Sequence, residues 1–246
     1  MLQQMLSHLL DLFLGQHCFG CRESGTLLCD SCAQKLPPAP LGNDEARPFI
    51  ACLAYRDERV RKALQALKFR KAKVLAIPLG NILHERLLEE LGDALLFSGV
   101  FLTPGVEEDP PADGSGSTPG VWKNSSSKLL IVPIPLHKKR QRQRGYNQVT
   151  LLAEAMIAAA SDHTMELGES ILEKVHETKS QVQCKGRDER LSNLRGAFAV
   201  RDTGKVLGRH IILLDDIVTT GTTLTEAKAT LMQAGAASVT CLALAH

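Results

Sequence analysis

Aromatic residues are scarce in this chain, which has 246 residues and only 4% Phe, Trp and Tyr. This scarcity argues against a stacking platform for single-stranded nucleic acid, because such platforms rely on aromatic side chains. No apolar run reaches the length of a membrane helix, so no membrane span is predicted. The net charge of +2 excludes a protein that is basic throughout, although it is compatible with local basic patches.

The first 16 residues also lack the basic region of a secretory signal, and they contain Asp11. Residues 2–14 instead show the apolar stripe of a short helix that packs on the body of the protein or on a partner subunit. The seven cysteines are an odd number, which together with the missing signal favours reduced thiols over a disulfide framework. We therefore expect a cytoplasmic protein.

Four of the cysteines form two CxxC units separated by seven residues. These are Cys18, Cys21, Cys29 and Cys32. Paired CxxC units bring four thiolates within tetrahedral reach of one Zn2+. A redox CxxC is the alternative, but two copies so close together disfavour it, and His17 is a less favoured substitute ligand. We predict a structural zinc site on which the folding of residues 16–35 depends, in a module that also suits contacts with nucleic acid or protein.

The most informative stretch is residues 211–223. Its first four residues are apolar and two of them are β-branched, which predicts a strand buried on both faces, as in a parallel sheet. The strand ends in Asp215 and Asp216, where two adjacent carboxylates would be costly without a cation or hydrogen-bond donors. Next comes a loop of small residues and then a helix from Leu224, for which Thr222 or Thr223 is the predicted N-cap. The loop residues are Thr219, Thr220, Gly221, Thr222 and Thr223.

This order of elements predicts an anion site, because a helix N-terminus presents backbone N–H groups and a favourable dipole. A phosphate bound there would have a pair of diol-binding carboxylates beside it. The residues therefore predict a site for a ribose 5-phosphate.

A second buried strand is predicted at residues 129–135, and a basic segment follows it at residues 136–148. The segment has six basic residues if His137 is counted, among them Arg140 and Arg144. Ligands of open parallel sheets bind beyond the carboxyl ends of the strands, so this segment would face the Asp/Thr strand and could neutralise a pyrophosphate. A solvated basic loop is the alternative.

The remaining segments are assigned more coarsely. Residues 59–73 form a predicted basic helix with Val60, Leu64 and Leu67 facing inward; its basic stripe is a solvated face or, less often, a phosphate or nucleic-acid patch. A second helix is predicted at 74–91, and a flexible Pro/Gly/Ser-rich insertion at 103–127. Between 171 and 200 we expect a strand, a mobile loop at 177–190 and a return strand, with Arg187 and Arg190 able to close over a bound phosphoribosyl group. Residues 238–245 complete the sheet.

Residues 211–223 closely resemble the binding motif for 5-phosphoribosyl 1-pyrophosphate (PRPP) of type I phosphoribosyltransferases. In that family, four apolar residues precede two acidic ones and a Thr-Gly phosphate loop. The resemblance implies that Asp215 and Asp216 are the catalytic carboxylates, which address the ribose hydroxyls directly or through Mg2+. It also implies that Thr219 to Thr223 wrap the 5-phosphate.

The wider chain resembles the ComF/GntX family, which joins a zinc-finger-like N-terminus to a type I phosphoribosyltransferase-like domain and is linked to DNA uptake in natural competence. The resemblance rests on the double CxxC, on the YRDERVRKALQALKF segment, on VPIPLH and RGYNQ in the basic segment, and on RLSNLRGAF at residues 190–198. It covers most of the chain except the insertion. The sequence departs from the family at residues 174–178, where arginines are usual; Lys174 keeps a charge and His176 does not.

We therefore expect an α/β fold of the phosphoribosyltransferase type, with a mostly parallel central sheet flanked by helices. The expected domains are an N-terminal helix with a four-cysteine zinc module (1–36), a linker (37–47) and the phosphoribosyltransferase-like domain (48–246). The expected function is PRPP binding, with transfer of phosphoribosyl to an unknown acceptor and release of pyrophosphate. The alternative is a non-catalytic protein that handles single-stranded DNA in DNA uptake, together with competence proteins. The resemblance also implies a homodimer, because phosphoribosyltransferase-like domains are often dimers.

Overall fold

The computed structural model describes residues 16–40, 49–98, 128–160, 164–175 and 196–246. Three of the regions predicted above lie outside these residues: the N-terminal helix, the insertion at 103–127 and the loop at 177–190 with Arg187 and Arg190. Among the described helices, none combines the length and the apolar character that crossing a membrane requires.

A five-stranded, fully parallel sheet forms the centre of the described chain, and a two-stranded antiparallel ribbon lies beside it. In chain order the strands are β1 (Ile50–Leu53), β2 (Leu129–Pro133), β3 (Met165–Leu167), β4 (Leu172–Lys174), β5 (Phe198–Val200), β6 (His210–Ile217) and β7 (Ser238–Ala245). The sheet order is β1-β7-β6-β2-β3, and β4 pairs with β5 in the ribbon. The central strands are continuous apolar runs because both of their faces are covered. The mostly parallel α/β sheet predicted from the sequence is confirmed.

Helices cover the two faces of this sheet. They are α1 (Asp30–Ala33), α2 (Glu58–Phe69), α3 (Ala76–Ser98), α4 (Lys138–Arg144), α5 (Gln148–Ala159) and α6 (Thr222–Gln233), with short 3-10 turns at Lys73–Leu75 and Thr203–Lys205. Helices α2, α3 and α5 share one core with Ile212 and Leu214, whereas α6 and the ribbon share another with Ile211 and Leu213. The sheet therefore separates two hydrophobic layers.

Helix α2 shows how its sequence specifies both its start and its buried face. The Asp57 carboxylate accepts hydrogen bonds from the backbone N–H groups of Arg59 and Val60, which satisfies the free donors of the first turn. Val60, Leu64 and Leu67 are buried, as their spacing predicts.

Three local details differ from the sequence prediction. The basic segment is not a plain loop, because residues 138–144 form helix α4 with His137 as its N-cap. The helix after the Thr/Gly loop is capped by Gly221, not by Thr222 or Thr223, because the cap has a φ of 75° that favours glycine. The Asp/Thr strand also runs one residue past its carboxylates, since β7 pairs with β6 as far as Ile217.

The cysteine module packs directly on the main body. Leu28 and Leu36 of the module belong to the same core as Leu64 of α2. The following segment then pairs with the edge of the sheet: Ala39 N–H donates to Cys52 O at 2.9 Å, and Ala54 N–H donates to Pro37 O at 3.0 Å. The start of the predicted linker is therefore held against β1, while residues 41–47 of that linker lie outside the described chain.

Candidate functional site

The two adjacent carboxylates at the end of β6 point to opposite faces of the sheet. Successive side chains alternate along a strand, so Asp215 shares a face with Leu213 and Asp216 shares a face with Leu214. Leu213 packs in the core of α6 and the ribbon, and Leu214 packs in the core of α2, α3 and α5. Asp215 and Asp216 therefore have different neighbours.

Asp216 is held by partners from inside the protein. It is only 5% exposed. Its Oδ2 atom lies 2.8 Å from Lys68 Nζ on α2 and accepts a hydrogen bond of 2.6 Å from Gln148 Nε2 on α5. Gln148 Oε1 in turn accepts a hydrogen bond from the Arg144 guanidinium at the end of α4. A buried carboxylate is stable only when it is paired and hydrogen-bonded, and these contacts provide both while joining four elements.

The charge of Asp215 is compensated by fewer partners than the charge of Asp216. Its Oδ1 atom accepts a hydrogen bond of 2.8 Å from the backbone N–H of Asp216. Burial raises the pKa of Asp215 to about 7, and the neighbouring Asp216 charge acts in the same direction, whereas Lys68 and Lys174 oppose it. A carboxylate in this position would be stabilised by a cation. This is the chemistry that an oxygen ligand of Mg2+ requires, so the residue fits the implied ion.

The Thr/Gly loop leads from these carboxylates into α6. Val218 N–H donates to Ala245 O at 2.9 Å, which fixes the start of the loop to the end of β7. The hydroxyls of Thr220 and Thr222 lie 2.8 Å apart, and no side chain caps the helix because Gly221 is the N-cap. The first N–H groups of a helix have no acceptor within the helix, so this loop is suited to hold a phosphate.

The basic residues of α4 lie near the same strand end. Arg140 is exposed, whereas Arg144 is partly buried with its guanidinium 5.3 Å from the centre of the Phe69 ring. Lys174 on β4 connects this region to Asp215: burial and the nearby Arg140 lower its pKa, and Asp215 opposes that effect. The structure thus brings the predicted basic segment to the predicted Asp/Thr strand.

A polar cavity of about 250 Å3 lies between α4 and the ribbon. Its lining includes Lys138, Gln141, Thr150 and Lys174. The buried hydroxyl of Thr150 has no hydrogen-bond partner within the described part of the chain. A larger cavity of about 660 Å3 lies between α3, β1 and the cysteine module, away from the predicted site residues. Size alone therefore does not identify the candidate site.

The four predicted metal ligands meet in one cluster, in which the sulfur atoms of Cys18, Cys21, Cys29 and Cys32 all lie within 4.8 Å of one another. Burial opposes ionisation of Cys18, but N–H donors of Cys29, Cys21 and Gly20 outweigh it and lower the pKa of Cys18 to about 6. His17 contacts Ser24 instead, at 3.4 Å. Four converging thiols with N–H donors can bind a metal ion.

Two residues of the site were not assigned roles from the sequence, Lys68 and Gln148. Lys68 belongs to the basic stripe of α2, but it lies four residues after Leu64 and therefore on the buried face of the helix. That spacing is the signal that could have separated it from the solvated lysines. For Gln148 we find no comparable signal in the residues alone.

Comparison with known proteins agrees with this geometry. Residues 149–246 match a family model described as a phosphoribosyl transferase domain. The chain is 32% identical to Competence protein F of Haemophilus influenzae over 117 residues, which are 47% of this chain and 49% of that protein. It is 36% identical to Competence protein ComFC of Bacillus subtilis over 117 residues, 47% of this chain and 44% of that protein. It is 35% identical to the DNA utilization protein YhgH of Escherichia coli K12 over 109 residues, 44% of this chain and 45% of that protein.

The chain thus spans about half the length of the curated relatives it matches. One solved structure, of a glutamic acid mutant from an analysis of an invariant aspartic acid in HPRTs, is 12% identical to this chain with a TM-score of 0.32. The match covers 67% of this chain and 66% of that one. The family match confirms a phosphoribosyltransferase-like domain over residues 149–246, and the named relatives agree with the resemblance to the ComF family that the sequence predicted.

Proposed function

We propose that the crevice at the carboxyl ends of β2 and β6 binds PRPP together with Mg2+. The observation that carries this proposal is the pairing of Asp215, a carboxylate that lacks full charge compensation, with the N-terminus of α6, which no side chain caps. The Asp215 carboxylate favours a cation or a diol, and the N-terminus of α6 favours a phosphate. A phosphorylated ribose carries both kinds of group.

In this proposal each element contacts a different part of the ligand. The Thr/Gly loop, residues 219–223, holds the 5-phosphate, and Asp215 faces the ribose hydroxyls or the Mg2+ ion. The basic residues of α4, with Arg140 exposed, are suited to the pyrophosphate. Mg2+, when bound, supplies positive charge to the pyrophosphate oxygens. Arg187 and Arg190 remain predicted contacts, because they lie outside the described residues.

Transfer of the phosphoribosyl group is the chemistry that such a complex would perform. The bond between ribose C1 and pyrophosphate breaks, its electron pair leaves with pyrophosphate, and a lone pair of the acceptor forms the new bond to C1. The protein's own contribution is electrostatic, through the cationic groups at the pyrophosphate and the carboxylate at the ribose.

The test is calorimetric titration of PRPP with Mg2+ into the wild-type protein and into Asp215→Asn. We expect binding by the wild type and a loss of about tenfold or more in the variant, the usual size for one charge-assisted contact. Glu154→Gln, at an exposed carboxylate of α5, is the matched control and should bind like the wild type. Equal binding by wild type and Asp215→Asn would refute the assigned role, and absence of binding by wild type would refute the function.

We also infer that the metal of the cysteine cluster is zinc in a structural role. Four thiolates fill a tetrahedral zinc site completely and leave no open position for substrate. The packing of the module on α2 and α3 supports a role in stability. Metal analysis of the purified protein tests this assignment, and a metal other than zinc at one equivalent would contradict it.

A second candidate function, handling of single-stranded DNA, is favoured by one specific surface. Phe69 is 73% exposed at the end of α2, with Arg144 of α4 over its ring, and Lys73 lies 4.9 Å from the centre of the Tyr146 ring. These contacts join two basic segments that are separate in sequence into one surface with aromatic groups, which suits a single strand. The competence and DNA utilization names of the relatives agree with this candidate.

Binding of a fluorescent single-stranded oligonucleotide at several salt concentrations tests it. We expect affinity that falls with salt and falls further in Phe69→Ala, because a stacked aromatic is worth about 1–3 kcal/mol per base. Val74→Ala, at another exposed apolar residue, is the control. Salt-independent or absent binding would exclude this candidate. Competence proteins as partners, a homodimer and a cytoplasmic location remain predictions.

A further inference from the structure

The ion pair between Lys68 and Asp216 carries an inference that rests on the proposed function and goes beyond it. We propose that the Lys68 ammonium group supplies, at the Asp216 carboxylate, the positive charge that a divalent ion would otherwise supply. Lys68 is thus a positioning residue that lowers the divalent-ion requirement of phosphoribosyl ligand binding.

The geometry identifies Lys68 as an internal cation and not a surface lysine. Its side chain is 18% exposed and the Asp216 side chain is 7% exposed, with 2.8 Å between Nζ and Oδ2. Lys62 on the same helix gives the contrast: its side chain is 42% exposed and pairs with Glu58 on the surface. An ion pair as shielded as that of Lys68 is weakly screened by salt, so its charge acts on the whole strand end.

The position of Asp216 explains why this charge matters for a ligand. Asp215 and Asp216 are adjacent on β6, and the charge of Lys68 acts on Asp215 as well. With Lys68 present, the strand end carries, among the described residues, one carboxylate that lacks full charge compensation. Without that charge it would carry two, which would attract a divalent ion more strongly and repel the anionic ligand.

The hydrogen bonds at Asp216 give the inference a second consequence. Gln148 donates a hydrogen bond to the same Oδ2 atom as Lys68, and the Oε1 atom of Gln148 accepts a hydrogen bond from the Arg144 guanidinium. Lys68 therefore also helps to orient the connection from β6 to the basic helix α4. A purely structural role through this connection would weaken ligand binding equally with and without Mg2+, whereas the charge role would not.

The experiment measures PRPP affinity by calorimetry with saturating Mg2+ and with no added divalent ion, and takes the ratio of the two affinities. Lys68→Gln keeps a hydrogen-bond donor toward Asp216 but removes the charge. In this variant we expect the affinity ratio to rise by about tenfold, which is the effect expected of a unit charge on a divalent ion a few ångströms away. Lys68→Arg keeps the charge and Lys62→Gln lies on the surface; both should keep the wild-type ratio.

Two further variants keep the test decisive if Lys68→Gln does not fold. Asp216→Asn leaves Lys68 uncompensated and should lower the ratio, and Lys68→Gln combined with Asp216→Asn should return it toward the wild-type value. An unchanged ratio in the folded variants would overturn the inference while leaving PRPP binding intact.

A second measurement separates this inference from the proposed function. Mn2+ binding without PRPP, followed by electron paramagnetic resonance of the free ion, should be about tenfold tighter in Lys68→Gln than in wild type. Equal Mn2+ affinities would overturn the role of Lys68. If wild type binds no PRPP, the proposed function fails and the Mn2+ comparison alone decides on Lys68.

Discussion

Replacing Asp215 by Asn should stabilise the protein in the absence of ligand and divalent ion, and should do so increasingly as the pH rises. Burial and the adjacent Asp216 raise the pKa of Asp215 to about 7, from an ordinary value of 3.8. The folded state therefore holds the proton more tightly than the unfolded state does. Stability that this proton provides is fully present below the unfolded pKa and is lost as the pH rises through about 7.

The magnitude follows from the difference between these two pKa values. Without screening it would correspond to about 4 kcal/mol at pH 8, since each unit is worth about 1.4 kcal/mol. Asp215 is only partly buried, so solvent screening reduces the expected effect to roughly 1–2 kcal/mol. For a protein of this size that corresponds to about 2–8 °C in Tm.

The assay is thermal unfolding of wild type and Asp215→Asn between pH 4 and pH 8 by circular dichroism. The difference in Tm should grow from near zero at pH 4 to its full value near pH 7 and then stay constant. Glu154→Gln, at an exposed carboxylate, should show no such growth. A Tm difference that is independent of pH, or that favours the wild type at pH 8, would refute the account of Asp215.

The remaining predictions concern stability. Removing metal from the cysteine cluster with a chelator should lower Tm by at least about 5 °C, because binding to the folded state alone stabilises it, and one equivalent of Zn2+ should restore it; an unchanged Tm would contradict a structural metal. Gly80→Ala should destabilise the protein by about 1–3 kcal/mol in urea unfolding, since a Cβ there would lie 2.5 Å from Ala155 Cβ on the facing helix. Gly92→Ala on the same helix meets nothing within 4 Å and should instead stabilise it by about 0.5–1 kcal/mol, so equal effects of the two would argue against the packing of α3 on α5. Tyr146→Phe removes the hydrogen bond from its hydroxyl to Leu67 O and should cost about 1 kcal/mol; a neutral change in the same urea assay would count against that bond.

The parts of the fold that could be predicted are those in which a single physical demand controls the sequence. Strands that are buried on both faces must be continuous apolar runs, and residues 211–214 form such a run. One buried face of a helix requires apolar residues at helical spacing, as at Val60, Leu64 and Leu67. The metal cluster is predictable because paired CxxC units restrict where four thiols can lie.

The parts that could not be predicted depend on the backbone or on distant partners. Helix α4 has no apolar periodicity, so its sequence resembles a solvated loop even though Lys, Arg and Gln are good helix formers. The N-cap of α6 is decided by a positive φ, which outweighs the preference for a hydroxyl at that position. Helical spacing places Lys68 on the buried face of α2, but it does not indicate Asp216 as the partner, because the two residues are far apart in the chain.

The Asp215–Asp216 pair shows how a motif and its geometry assign different roles. The motif treats the two carboxylates as one unit, and on that basis a double substitution would be the natural test. A strand cannot direct neighbouring side chains to the same face, so Asp216 meets Lys68 and Gln148, while Asp215 has no such pair of donors in the part of the chain that the structure describes. Removing both carboxylates would leave Lys68 without its counter-ion and would combine a loss of packing with a loss of ligand contact. Only the single Asp215→Asn substitution separates the loss of ligand contact from the loss of packing, because it leaves the ion pair between Asp216 and Lys68 intact.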